Sequence, residues 1–390
     1  MIILYISPLS SRAVIEQIHQ ESGRDPGYAI QKFNRLMVKG FIANGAKVKN
    51  LSAVPVSSSN TKKVGWFLKK ETEDNIAYNY IPFFNIKGIR QIGIFLYSFF
   101  YVLFWGFSKR KEKVIVCDAL SISLCYGALL ATKLNGLRSV GILTDMPGMM
   151  VFGNGQQQSL VTRINFQSLS LFTHYVFLTE AMNSVVNTKD KPYIIVEGVV
   201  DETIQRNSAI SEKEMPRVVM YAGSLHEKYG IKLLVEAFAS IELQDVKLVI
   251  YGSGPYAKEL KELKLDNVEY RGLLPTDEIV KAEERASLLV NPRPTHEEFT
   301  KYSFPSKNME YMASGTPLLT TRLPGIPQEY FPYIYLFKEE NHKGFTFALK
   351  EVLTKDPSEL KQKGEDARAF VLQKKNNCSQ TARILELIKQ

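Results

Sequence analysis

The sequence predicts an α/β protein made of two doubly wound parallel sheets. Three observations predict it. Short β-rich runs alternate with helical stretches, the alternation starts afresh after residue 214, and 390 residues are enough chain for two domains. Apolar residues make up 45% and charged residues 23%, which excludes a largely disordered chain. Cys117, Cys125 and Cys378 are too few for a disulfide framework in a chain of this length. No CxxC or Cys/His cluster has zinc spacing. A reducing cytoplasm is the expected setting. The start, Met1 to Pro8, has no basic leader region and a short apolar run. It reads as a buried first strand, not a signal peptide.

In the first half, 2–6 is a strand. Residues 27–44 place Ile30, Phe33, Leu36, Met37 and Phe41 at helical spacing. Further strands fall at 114–117, ending at Asp118, and at 140–143, ending in Thr144-Asp145-Met146-Pro147-Gly148. Two more fall at 175–178 and 193–196. The stretches 21–27 and 54–63 read as mobile loops. The polar stretch 201–214 is the expected linker. In the second half, strands at 217–221, 247–251, 268–271, 288–291 and 318–320 are separated by helical pieces, among them 231–239 and 256–263. The expected domains are 1–200 and 215–373, with a C-terminal helix in 374–390 that packs back on the first domain. Two such domains place the site in the cleft between them, at the carboxyl ends of the strands.

The net charge of +9 is uneven. Residues 1–200 hold 22 Lys/Arg against 12 Asp/Glu, and residues 201–390 hold 27 against 28. The basic first half suits an anionic surface, a membrane leaflet or a nucleic acid; solvated lysines with no partner are the alternative. Residues 92–107 are large and apolar, broken by Gly93, Ser98 and Gly106, and Lys109-Arg110-Lys111-Glu112-Lys113 follows. A spanning helix needs about 20 apolar residues. An interfacial helix and a buried core helix both remain open.

The strongest local signal is the run from Ser303 through Phe304-Pro305-Ser306-Lys307 and Glu310 to Gly315-Thr316-Pro317. It reads as a loop, a helix start near Ser306, a glycine stop and a buried strand. Amides at a helix start suit a phosphate, and Lys307 adds charge there. Glu310, one turn in, is placed to accept hydrogen bonds from a diol or simply to complement the helix dipole. This run resembles the donor-binding signature of the GT-B glycosyltransferases, in particular the large retaining family called family 4. Met220 to Phe238 resembles that family's first strand, glycine loop and helix of the second domain. Val249-Ile250-Tyr251-Gly252-Ser253-Gly254-Pro255 resembles its glycine–proline turn. Asn267 to Gly272 resembles the strand facing the nucleotide base, and Asn291-Pro292-Arg293 falls where the pattern expects it. The resemblance covers roughly residues 215–335, and more weakly 1–200.

The resemblance implies two Rossmann-like domains facing across a cleft, and a role for each matching residue. Glu310 holds the donor ribose and counts among the catalytic residues. Lys228 contacts the diphosphate. Gly223 and Ser224 form the loop beneath the phosphates. Phe304, Pro305 and Ser306 present amides to them, and Arg271 and Gly272 lie at the base-side edge. Two positions depart from the family. Its first glutamate would fall at Tyr302, so Glu297 or Glu298 stands in or the sugar differs. Its arginine after the loop glycine would fall at Ser224, and Lys307 is the candidate replacement. The departures resemble a subgroup of bacterial surface-polysaccharide enzymes.

In the first domain, Asp145 sits at a strand's carboxyl end beside a proline turn, where an acceptor-side residue belongs; capping the next turn is the plainer role. Asp118 is a second candidate. Gly27, in the loop expected after the first strand, is where the family brings backbone near the phosphates. Gly252-x-Gly254-x-x-Ala257 passes a dinucleotide test, but no acidic residue ends the next strand. No D-x-D, P-loop or G-x-S-x-G occurs. His174, before a buried strand, reads as structural. The expected function is transfer of a sugar, with retention, from a nucleotide-diphosphate sugar to a glycan or lipid-linked acceptor in surface-polysaccharide biosynthesis. UDP is favoured over GDP, and no metal or other cofactor and no nucleic acid is expected. The expected place is cytoplasmic, peripheral on the inner face of the plasma membrane. A sugar-nucleotide 2-epimerase of the same fold and a catalytically inactive scaffold are the alternatives.

Overall fold

The computed structural model describes residues 1–107, 112–147, 160–203, 213–215 and 217–390. Most of the expected linker, Gly148, and Lys109, Arg110 and Lys111 lie outside them. The chain divides into two compact units: Met1–Val199 with Asn377–Gln390, and Val200–Asn376.

The first unit runs β1 (Ile2–Ser7), α1 (Arg12–Ser22), α2 (Tyr28–Ala43), β2 (Lys47–Ser52), β3 (Gly65–Trp66), β4 (Glu71–Glu73), β5 (Ile76–Tyr80), β6 (Phe83–Phe84), α3 (Ile89–Phe107), β7 (Lys113–Asp118), α4 (Ile122–Leu134), β8 (Arg138–Leu143), α5 (Leu160–Leu169), β9 (His174–Phe177), α6 (Glu180–Val186) and β10 (Tyr193–Ile195). Its main sheet has the order β10-β9-β8-β7-β1-β2-β5-β4. All neighbours are parallel except β4 and β5. Ile3, Leu4, Tyr5 and Ile6 are fully buried, as a central strand covered on both faces requires.

The expected strands of this half form within a few residues of their predicted places. Several features were not expected, β4 and β5 among them. β2 begins Lys47-Val48-Lys49, exposed at its start and buried only at its end, so no apolar run marks it. The ribbon β3–β6 is two residues wide. α1 separates β1 from Gly27, which corrects the expectation that Gly27 lies in the first strand's loop. Gly27 instead opens α2 at φ 86°, its amide bound to Asp25 Oδ1 at 2.7 Å. Lys113 ends the basic run that follows α3. It is buried as the first residue of β7, where its ammonium meets the Trp105 ring and carbonyl.

The second unit runs β11 (Arg217–Ser224), α7 (Ile231–Ala239), β12 (Val246–Ser253), α8 (Ala257–Glu262), β13 (Val268–Gly272), α9 (Thr276–Arg285), β14 (Leu288–Asn291), α10 (Ser306–Ser314), β15 (Leu318–Thr320), β16 (Tyr335–Leu336), α11 (His342–Leu353) and α12 (Pro357–Lys374). Its parallel sheet has the order β13-β12-β11-β14-β15-β16. Side chains of β11 alternate between two cores. Val219 and Tyr221 face a cluster with Leu234, Phe238 and Leu349; Val218 and Met220 face one with Met309, Met312 and Phe370. That is the two-residue period of a strand buried on both faces.

The chain enters this unit at Val200 and leaves beside it, where Val200 bridges Asn376 in parallel. The last helix, α13 (Asn377–Lys389), then packs on α2 of the first unit. Asn44 Nδ2 donates to the Cys378 carbonyl at 2.8 Å and to Thr381 Oγ1 at 3.0 Å. The helices touch at Gly40, where a Cβ would lie 2.3 Å from the Asn377 carbonyl oxygen. Gly40→Val is therefore expected to lower stability by about 1–3 kcal/mol, read as a fall in the urea midpoint. Gly93→Ala, where a Cβ meets nothing within 4 Å, should raise it by about 0.5–1 kcal/mol.

Candidate functional site

In the second unit β11 lies between β12 and β14. Crossovers leave it in opposite directions, so the carboxyl ends of β11 and β14 flank a crevice, the usual ligand position of such sheets. β11 ends in Gly223-Ser224 and β14 in Asn291, followed by Pro292-Arg293. Gly230, at φ 79° before α7, lies so close that a Cβ there would be 2.0 Å from the Pro292 carbonyl oxygen.

α10 starts beside this crevice. Phe304 is buried against Tyr330, their rings 5.2 Å apart. Pro305 is the extended residue before the helix, and no side chain caps it. The amides of Ser306 and Lys307 precede any carbonyl the helix could offer them. A buried polar triangle fixes the direction of the helix. Asn291 Nδ2 donates to Asn308 Oδ1 at 2.7 Å, Asn308 Nδ2 to Thr320 Oγ1 at 3.4 Å, and Thr320 Oγ1 to the Asn291 carbonyl at 3.0 Å.

Lys307 reaches back from α10 to the end of β11. Its Nζ donates to the Ala222 carbonyl and stands 5.2 Å from the Tyr221 ring centre. A Cβ on Gly223 would lie 1.5 Å from that nitrogen, so the glycine makes room for the lysine. Burial, helped by nearby Arg293, pushes the ammonium pKa down to about 8, against the opposing pull of Glu310 and Glu283. Tyr311 Oη accepts from the Ala222 amide at 2.9 Å. Arg293 lies 5.2 Å from the Tyr229 ring centre and 5.5 Å from that of Phe299, and Lys228 stands over the same two rings. Arg293 Nε is buried, with no hydrogen-bond acceptor among the described residues, and desolvation lowers its pKa. Three cations and an uncapped helix start thus gather at one strand end. The arrangement suits a compact polyanion such as a diphosphate.

Of the residues singled out from sequence, the structure gathers Gly223, Lys228, Phe304, Pro305, Ser306 and Lys307 around this crevice. Glu310 is exposed one turn into α10. Ser224 is exposed, and its carbonyl accepts from Tyr221 Oη at 2.8 Å. Arg271 and Gly272 end the edge strand β13, two strands from β11. The Arg271 guanidinium is already paired with both Glu269 oxygens, at 2.8 and 3.0 Å, and with Tyr251 Oη at 3.2 Å. Tyr302 follows a short 3-10 turn, Glu298–Lys301; Glu297 is half-buried and Glu298 exposed. Arg293, Tyr229 and Phe299 had no assigned role. The signal that marks Arg293 is a proline turn at a strand's carboxyl end, the same signal that singled out Asp145.

In the first unit, Asp145 lies just past β8, half-buried, with Oδ1 accepting from the Met146 amide at 2.8 Å. Burial pushes its carboxyl up. Asp118 is sealed inside. Its Oδ2 accepts from Asn34 Nδ2 at 3.0 Å, and Tyr5 Oη donates to Asn34 Oδ1 at 2.6 Å. Desolvation raises its pKa, opposed by the bonds from Asn34 and from the Leu120 amide. Asp118 is therefore part of the core network, and Asp145 is the accessible carboxylate of the pair. His174 is buried, with Nδ1 2.8 Å from Thr173 Oγ1.

Because the folded pKa of Lys307 lies below the unfolded value, its burial opposes folding. The cost is full below about pH 8 and vanishes as pH rises past about 10.4. Lys307→Met should therefore raise stability near pH 7 by an amount on the order of 2 kcal/mol. Urea titrations should show the gain shrinking towards pH 10.

Residues 203–370 match the model of the glycosyl transferases group 1 family. The colanic acid biosynthesis glycosyltransferase assignment WcaL of Salmonella typhimurium LT2 is 29% identical over 136 residues, 33% of this chain. The chain spans about a third of that relative's length, 34%. Sucrose-phosphate synthase from Thermosynechococcus elongatus is similar in fold, with a TM-score of 0.65 at 16% identity, covering 100% of this chain and 99% of that one. HepE from Anabaena, solved in complex with UDP, has a TM-score of 0.62 at 12% identity and covers 100% of both chains. The second unit thus carries a glycosyl transferases group 1 region, and the fold as a whole is the two-domain GT-B fold.

Proposed function

We propose that this protein is a retaining glycosyltransferase of family 4 type that transfers a sugar from a nucleotide-diphosphate sugar, UDP in preference to GDP. The acceptor is a glycan or lipid-linked glycan in surface-polysaccharide assembly. The enzyme works in the cytoplasm, peripheral on the inner face of the plasma membrane. The observation that carries this reading is the convergence of Lys228, Arg293, Lys307 and the start of α10 on the end of β11. In the reaction the anomeric C–O bond breaks and the diphosphate leaves with the electron pair. Positive groups already in place stabilise that developing charge without reorganising. The bound diphosphate adds a stronger counter-charge to Lys307 than Glu310 and Glu283 supply in the free protein, so it raises the lysine's pKa. Glu310 holds the ribose diol through its carboxylate. Asp145 takes the acceptor hydroxyl's proton as the new bond forms on the face the diphosphate leaves.

Two measurements test the reading. UDP at about a hundredfold excess over its dissociation constant adds about 2.7 kcal/mol of stability, so a thermal-shift panel of UDP, GDP, ADP, CMP and NAD should move for UDP. A flat panel overturns the proposal. Glu310→Ala should lower transfer by roughly a hundredfold or more in a purified assay; unchanged transfer removes Glu310 from the site.

The pH dependence follows from Lys307. Above about pH 8 the free lysine is neutral, and binding must take up a proton. UDP affinity should therefore fall as pH rises from 8 to 10, by up to tenfold per unit. The slope should vanish in Lys307→Met.

A further inference from the structure

α3 has its two faces in an unusual order. The stripe facing the protein is Ile94, Ser98 and Val102, the helix's buried residues. The opposite stripe is Ile89, Ile92, Leu96, Phe100, Phe104 and Phe107, all exposed, with Phe104 at 68% and Phe107 at 67%. The outward face is thus larger and more apolar than the inward one, the reverse of a helix on a soluble domain. An exposed apolar strip of this length marks an interaction surface.

The ribbon β3–β6 continues the strip. Trp66 and Phe83 point inward and are buried, while Phe67 and Phe84 are exposed and meet edge to face at 5.2 Å. Lys62, Lys63, Lys69, Lys70 and Lys87 are exposed around them. From Asn75 to Lys111 the sequence contains no Asp or Glu. Where ribbon and helix join, Arg90 lies 5.4 Å from the Phe83 ring centre, and its Nε has no hydrogen-bond acceptor among the described residues. An apolar strip with aromatic side chains, a lysine fringe and a half-buried arginine at its join matches the boundary between acyl chains and anionic headgroups.

α3 is also long and apolar enough to cross a membrane by length and composition, but it is fastened along α4. Asn135 Nδ2 donates to the Val102 and Leu103 carbonyls, both at 3.2 Å. A Cβ on Gly127 would lie 2.2 Å from the Phe95 carbonyl oxygen. A helix held against its domain along its length can lie in an interface and cannot leave the domain to span.

We propose that the outward face of α3 and the Phe67–Phe84 pair form one docking surface for an anionic lipid leaflet, with Arg90 taking a headgroup phosphate. This deepens the membrane part of the proposed function by naming the surface that makes the contact.

The test is co-sedimentation of the full chain with vesicles of phosphatidylcholine alone and of phosphatidylcholine with phosphatidylglycerol. The chain should pellet with the anionic vesicles, and less as salt is raised. Phe100→Ser combined with Phe104→Ser should weaken binding by roughly tenfold or more, with a small change in the urea midpoint because both side chains are exposed. If that pair fails to fold, Phe67→Ser on the ribbon reads the same surface. Arg90→Gln should weaken binding to anionic vesicles and leave any binding to neutral ones unaltered.

Equal pelleting by wild type and the serine variants overturns the proposal. So does a lipid-free dimer that the variants dissociate, with no vesicle binding. The UDP shift on the same preparation separates the two readings. A shift without vesicle binding removes this surface and leaves the donor site; vesicle binding without a shift does the reverse.

Discussion

The candidate donor site depends on one missing side chain. Because Gly223 has no Cβ, Lys307 can cross from the first turn of α10 to the Ala222 carbonyl. That crossing carries an ammonium into a place where burial disfavours it, and its pKa falls to about 8. The cost is tolerable because the rest of the unit holds the lysine there. The Asn291–Asn308–Thr320 triangle sets the helix direction, and Tyr311 fixes the same strand end from the next turn. A cation desolvated in advance and lacking a full counter-ion interacts strongly with any anion that arrives. Stability and ligand binding are in opposition at this residue.

The two units share a wiring rule and differ in what fills it. In each sheet the connections reverse direction around the first strand, β1 in one and β11 in the other. At the β1–β7 junction the crevice is closed by Tyr5, Asn34 and Asp118, hydrogen-bonded to one another and buried. At the β11–β14 junction it is left open by glycine and ringed with cations. The same topology therefore gives a sealed polar core in one case and an anion site in the other. In the first unit the accessible carboxylate moves one strand over, to Asp145 beyond β8.

α3 shows the limit of composition as a guide. A run of large apolar side chains signals burial when the sheet needs covering. Here α4 already occupies the space over β7, and Gly127 brings the two helices so close that only a narrow stripe of α3 faces inward. Phe100, Phe104 and Phe107 face out. The buried positions recur every four residues; the sequence contains that spacing, but large apolar residues at nearly every position hide it.

The sequence by itself determined the alternation of strands and helices, the restart after the linker, and the loop-to-helix run at Phe304–Lys307. These are local: apolar runs, proline and glycine stops, and spacing settle them without distant contacts. It did not reveal β2 or the β3–β6 ribbon, whose few residues are held by partners far along the chain, nor α1 between β1 and Gly27. Tertiary structure alone decided that Arg293 joins Lys228 over Tyr229 and Phe299, that Arg271 is paired with Glu269, and that Asp118 is sealed while Asp145 is not. A charged side chain's role depends on which groups desolvate it or pair with it. For Arg293 and Asp118 those groups arrive from segments tens of residues away.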